Sequence, residues 1–132
     1  MRKFISAKTA ANILLGIYGL LIIFHILVLA QVVPSNIVWG GQIGNAPQNL
    51  VTLETVAILL TAIFAVIVAA KIDYINAGRF RKVINILLWL IFVYSLLNIA
   101  GNFASGASLE KLIFAPISIV VAFLVFRLAI EK

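Results

Sequence analysis

Four runs of about twenty apolar residues each restrict the fold of this chain more than any other feature. They cover residues 9–33, 50–70, 83–103 and 109–130. A mostly apolar helix of about twenty residues spans the hydrocarbon core of a bilayer. In lipid each run must be helical, because an isolated strand would leave its backbone N–H and C=O groups unpaired. The sequence therefore predicts an all-α, membrane-embedded four-helix bundle that forms a single domain.

Composition excludes the alternative of a small soluble domain. Hydrophobic residues make up 64% of the chain and charged residues 11%. Ordinary globular chains have roughly 45–50% apolar and about 25% charged residues. A soluble protein of this size could not cover its surface with so few charges. The chain also has no cysteine, which excludes disulfides, thiol redox chemistry and Cys-ligated metals.

The first apolar run also has features of a secretory signal peptide. It follows a basic start, and Val28, Leu29 and Ala30 would serve as a small-residue cleavage site. However, the apolar stretch from Ile13 to Ala30 is longer than the roughly 7–15 residues of a signal-peptide core. We therefore interpret it as an uncleaved membrane anchor.

Charge placement predicts the orientation of the bundle. The side that carries both chain ends and the 71–82 connection has nine basic and two acidic residues, a net charge of +7. The other side has one basic and two acidic residues, a net charge of −1. Because positive charge is enriched in cytoplasmic segments, an up-down-up-down bundle with both termini cytoplasmic is expected, in the cytoplasmic membrane. Membrane anchoring and anionic lipid head groups explain the basic excess on that side, so no nucleic acid is expected as a partner.

The predicted external loop, residues 34–49, is sixteen uncharged residues with two prolines, three glycines and Trp39. Gly40 and Gly41 predict a sharp turn or a close approach of the backbone. Tryptophan is frequent at membrane interfaces, so the loop is either a plain interfacial connector or a lid over the outer end of the bundle.

Polar residues inside the spans give the candidate site, because such residues are costly in lipid and often functional. At 1.5 Å rise per residue, His25, Glu54 and Asn98 lie at similar depths, roughly 6–12 Å below the outer surface. They come from three different helices and could share a cavity. The predicted ligand-binding pocket comprises His25, Glu54, Tyr94, Asn98, Asn102 and Trp39.

A purely structural role is the alternative for each of these residues. Asn98 and Asn102 would then be interhelical hydrogen-bonding residues, and Arg127 would extend to the cytoplasmic interface. Pro116 predicts a kink in the fourth helix. Small residues predict close helix packing in the first two helices, at Gly16, Gly19, Ala57, Thr61 and Ala65.

Metal and nucleophilic chemistry find no support in the sequence. One histidine with one glutamate in reach is too few ligands for a zinc centre, so we predict no metal and no cofactor. The single aspartate, Asp73, lies on the opposite side from His25, which excludes a Ser-His-Asp triad.

Several segments carry a resemblance to a group of small, uncharacterised bacterial four-helix integral membrane proteins. They are Phe24-His25, Pro34 with Ile37 to Gly41, Gly101-Asn102 and Leu109 to Lys111. The resemblance covers nearly the whole chain and implies the same four-helix fold, but no activity.

The leading functional expectation is a binding or translocation module with its polar pocket in the outer half of the bundle, taking a small molecule or lipid. One alternative is a non-catalytic accessory protein that packs on a membrane partner or on copies of itself. A third is a small intramembrane enzyme with His25 as general base.

Overall fold

A computed structural model describes residues 4–30, 47–104 and 110–131 of the chain. Four α-helices account for most of them, and we number these α1 to α4. They are α1 (Ala7–Leu29), α2 (Pro47–Lys71), α3 (Arg81–Phe103) and α4 (Ala115–Ala129). All four apolar segments are long enough to cross a membrane. The structure confirms the predicted all-α four-helix fold.

Local signals explain where the helices begin and end. At the start of α1 the Ser6 hydroxyl accepts a hydrogen bond from the Thr9 N–H at 3.1 Å, a standard N-cap. After α2, Asp73 adopts a left-handed backbone with φ 65°, and the Tyr74 N–H donates to the Ala69 carbonyl. This pattern satisfies a carbonyl at the helix end and turns the chain. A 3₁₀ turn at Gly78–Phe80 then leads into α3.

Hydrogen bonds at one end of the bundle establish its topology. Arg127, near the end of α4, donates from Nε to the Ile5 carbonyl before α1 at 2.8 Å. Lys71, at the end of α2, donates both to Asn85 in the first turns of α3 and to the Glu131 carbonyl after α4. The start of α1, the end of α4 and the α2–α3 connection therefore lie together, and the helices run up-down-up-down. We call this end, with Lys8, Lys71 and the 72–82 connection, the basic end.

Apolar side chains from all four helices form the core. It includes Leu14 on α1, Val68 on α2, Leu88 on α3, and Leu124 and Val125 on α4. Half of the residues in the apolar stretch of the fourth span, Leu112–Ala129, are buried inside the protein. In the other three spans the buried share is 17–22%. Large apolar side chains such as Leu20, Leu97 and Leu112 are instead exposed. This distribution fits helices that face lipid, where contact between helices depends on close packing rather than on hydrophobic burial.

The beginning of the fourth span differs from a regular helix. A π-helical turn at Glu110–Phe114 precedes α4, and Pro116 lies in the first turn of α4. Proline has no N–H to donate, and π-helical turns are a recognised cause of distorted helices. The sequence predicted an irregularity at Pro116, and the structure places the wider turn immediately before it.

Candidate functional site

The polar pair His25–Glu54 joins α1 to α2 near the end of the bundle opposite the basic end. His25 Nδ1 and Glu54 Oε2 are 2.6 Å apart. The Glu54 side chain has no exposed surface, whereas the imidazole of His25 keeps 18% of its surface exposed. A separation this short is typical of a hydrogen bond in which one partner is charged. When the carboxylate is ionised, the Nδ1–H of His25 donates to it.

Helix periodicity explains why these two side chains meet. His25 follows Tyr18 by seven residues, which returns it to the same face of α1. That face is buried against α2, where the ring of Tyr18 lies 6.2 Å from the ring of Phe64. Since α1 and α2 are antiparallel, a residue four positions before the end of α1 reaches the early turns of α2. The structure thus brings together the two ionisable members of the predicted pocket.

Aromatic rings lie on the other side of His25. The Phe24 ring centroid is 5.7 Å from that of His25 and 5.0 Å from that of Phe114. Phe24 also lines an apolar groove of about 390 Å³ between α1 and the beginning of α4. The other lining residues are Ile17, Leu20, Leu21, Phe114, Pro116, Ile117 and Val120. The groove therefore contains none of the five residues of the predicted pocket that the structure describes.

The three predicted residues on α3 do not join the pair in one cavity. Asn98 is exposed, and Tyr94 is 45% exposed with its ring packed edge-on against Phe64 at 5.3 Å. Asn102 is half-buried and donates to the Phe114 carbonyl over a long 3.4 Å. Ser95 marks the buried face of α3, and Asn98 lies about 60° round the helix from it.

Asn102 follows Ser95 by seven residues and so returns to the buried face, but it turns toward α4 rather than α2. The polar residues of α3 lie within about 100° of one another around the helix, but only part of that arc faces the other helices. Trp39 and the predicted 34–49 loop, except for the backbone of its last three residues, lie outside the described residues.

The predicted packing residues fall into two groups. Ala57, Thr61 and Ala65 on α2 are half-buried, and the Thr61 hydroxyl donates to the Ala57 carbonyl at 2.7 Å. Gly16 and Gly19 are exposed, and a methyl group added at either would meet nothing within 4 Å. Both glycines lie on the side of α1 opposite its buried face. Close packing at these two positions therefore does not occur within the described part of the chain.

A second polar cluster, at the basic end, was not predicted from the sequence. Arg127 is 2% exposed and donates from Nη1 to the Glu131 carboxylate at 2.8 Å, in addition to its bond with Ile5. Lys71 donates to the backbone carbonyl of Glu131 at 2.5 Å as well as to Asn85. The expectation that Arg127 extends to the interface is wrong, because its charge is satisfied inside the bundle. The i, i+4 spacing of Arg127 and Glu131 was the available signal.

Comparison with known proteins adds nothing to this geometry. Neither a family model, nor a curated protein, nor a solved structure matches the chain. Within residues 4–30, 47–104 and 110–131, no group of three His, Asp or Glu side chains could hold a metal ion. Among the described residues, the His25–Glu54 pair is therefore the feature that bears most directly on function.

Proposed function

We propose that this protein is a translocation module of a bacterial cytoplasmic membrane that moves protons through the His25–Glu54 pair. The observation that carries the proposal is the 2.6 Å contact between these two ionisable side chains inside the spans, with Glu54 fully buried. Ionisable residues within a membrane span usually mark an ion pathway or a proton relay. A coupled acid and base can accept and release a proton as one unit.

The accessibility of the two side chains supports a role in proton exchange. His25 keeps part of its surface exposed, so it is the member that can exchange a proton with the surroundings. Glu54 lies behind it on α2 and compensates the charge that His25 gains. Because the pair connects two helices, a change in its protonation also alters the α1–α2 contact.

We also propose an orientation of the bundle relative to the two sides of the membrane. The basic end faces the cytoplasm, since positive charge is enriched there in membrane proteins. His25 and Glu54 then lie in the outer half of the bilayer. The sequence resemblance to small bacterial four-helix membrane proteins supports the choice of a bacterial membrane.

Proton entry into vesicles tests this function. The purified protein is reconstituted into liposomes that contain a pH-sensitive dye, and a potassium gradient with valinomycin drives protons inward. Wild-type protein is expected to accelerate acidification, and Glu54→Gln and His25→Leu are expected to reduce the protein-dependent rate about tenfold or more. Asp73→Asn is the matched control, since it makes the same carboxylate-to-amide change in an exposed side chain. Equal rates in wild type and Glu54→Gln would reject the proposal.

One observation favours an accessory protein as the second candidate function. The Gly16–Gly19 face of α1 is exposed, and none of the described residues packs on it. Small residues on a membrane helix allow another helix to approach closely. If reconstituted protein does not increase proton entry, binding of a partner helix to this face becomes the better explanation of the chain.

A further inference from the structure

The basic end carries exposed cations that the buried cluster does not use. Lys8, Arg79, Arg81 and Lys82 are all exposed, whereas Arg127 and Lys71 bond to groups within the bundle. Arg81 forms an ion pair with Asp73. In the described part of the chain, Lys8, Arg79 and Lys82 have no acidic side chain within ion-pair distance. Among the described residues, three positive charges at this end therefore have no carboxylate partner.

Exposed aromatic side chains lie next to these cations. Lys8 Nζ lies 6.0 Å from the centre of the Tyr74 ring, and the Arg79 guanidinium lies 5.2 Å from that of Phe80. Tyr74 and Phe80 are each about half exposed, and Phe4 is 83% exposed. Aromatic rings are enriched at the level of lipid head groups, where an apolar ring meets a polar surface. We call these six residues the basic collar: Phe4, Lys8, Tyr74, Arg79, Phe80 and Lys82.

Two contacts fix the chain that carries much of the basic collar against the rest of the bundle. The Tyr74 hydroxyl donates to Asn12 Oδ1 at 2.7 Å, which fixes the α2–α3 connection against α1. The Arg81–Asp73 pair fixes the start of α3 against the same connection. The three cations Lys8, Arg79 and Lys82 lie at the ends of the apolar spans.

We propose that the basic collar is a binding surface for the phosphate groups of anionic phospholipids. Charge complementarity supports this choice of ligand. The exposed cations at the ends of the spans are positive, and the phosphates of the lipid head groups are negative. The aromatic rings pack at the boundary between the head groups and the acyl chains. A basic residue near an anionic membrane surface contributes about 1 kcal/mol, which corresponds to about fivefold in association per residue. The surface is independent of the His25–Glu54 pair, which lies at the other end of the bundle.

Spin-label electron paramagnetic resonance of reconstituted protein tests the proposal. The host vesicles are phosphatidylcholine with a trace of spin-labelled phosphatidylglycerol or spin-labelled phosphatidylcholine, and the motionally restricted fraction of each probe is measured. Phosphatidylglycerol is expected to associate at least about fivefold more strongly, the contribution of a single basic residue. Lys8→Gln, Arg79→Gln and Lys82→Gln combined are expected to remove the preference. Lys111→Gln, which removes a charge at the opposite end of the bundle, is expected to leave it unchanged.

Salt provides a second test that needs no substitution. In 1 M salt the Debye length falls to about 3 Å, and the wild-type preference for phosphatidylglycerol is expected to disappear. Equal association of both probes with wild type at low salt contradicts the proposal. So does a preference that persists in the triple variant, and either result would leave these cations with a role in orientation alone.

Discussion

Replacing Arg127 by leucine is expected to lower the free energy of unfolding by about 3 kcal/mol, the largest effect of any single substitution considered for this protein. The guanidinium is 2% exposed and donates at 2.8 Å both to the Ile5 carbonyl and to the Glu131 carboxylate. Leucine fills a similar volume but can donate to neither acceptor. The substitution also separates the start of α1 from the end of α4, because the bond to Ile5 connects them.

Unfolding of the detergent-solubilised protein by added dodecyl sulfate, followed by circular dichroism, measures this effect. Arg81→Leu is the matched control, because Arg81 also pairs with a carboxylate but both side chains are more than half exposed. Exposed ion pairs contribute at most about 1 kcal/mol. Arg127→Lys keeps the positive charge but lacks the planar set of N–H donors of the guanidinium. It is therefore expected to recover only part of the stability that Arg127→Leu loses. Equal destabilisation by Arg127→Leu and Arg81→Leu would contradict the role of burial.

The second large effect is expected at the His25–Glu54 pair. A double-mutant cycle with His25→Leu and Glu54→Leu is expected to give a coupling free energy of about 1–2 kcal/mol. Interhelical hydrogen bonds in membrane proteins average about 0.6 kcal/mol and reach about 1.7 kcal/mol. We expect the His25–Glu54 pair toward the upper end of this range of free energies, because its two polar atoms are only 2.6 Å apart and Glu54 is fully buried. The same dodecyl sulfate titration supplies the four free energies that the cycle requires.

Glutamine at position 54 separates structural from proton-handling roles. Its amide oxygen still accepts a hydrogen bond from His25, but it cannot take up or release a proton. Glu54→Gln is therefore expected to retain most of the stability that Glu54→Leu loses. A coupling free energy near zero in the leucine cycle would show that the two side chains do not interact in the membrane.

The length and apolar character of the four runs predicted the fold because a membrane leaves few alternatives. Each apolar run must satisfy its own backbone hydrogen bonds, so four runs of sufficient length become four helices. Polar residues were harder to place. His25 and Glu54 could be paired from depth and helical phase, since antiparallel neighbours bring equal depths together.

The side chains of α3 and α4 show where sequence reasoning fails. Asn98 and Asn102 are only four residues apart, yet one is exposed and the other turns toward α4. The burial of each side chain depends on which neighbouring helix α3 packs against at that level. The tilt of α3 that determines this cannot be read from helical periodicity alone. The prediction that Arg127 extends to the interface was wrong for a different reason. A long basic side chain near a span end usually extends to the interface, and only the fold reveals that the Ile5 carbonyl and Glu131 can satisfy it instead.

The central claim, that His25 and Glu54 form one hydrogen-bonded pair within the membrane, has a direct test in nitrogen-15 NMR of histidine-labelled protein in lipid. His25 is the single histidine of the chain, so its two ring nitrogens give the only labelled side-chain signals. We expect Nδ1 to carry a proton in a strong hydrogen bond, and we expect its signal to shift in Glu54→Gln but not in Asp73→Asn. An Nδ1 signal that is the same in wild type and Glu54→Gln would contradict the account.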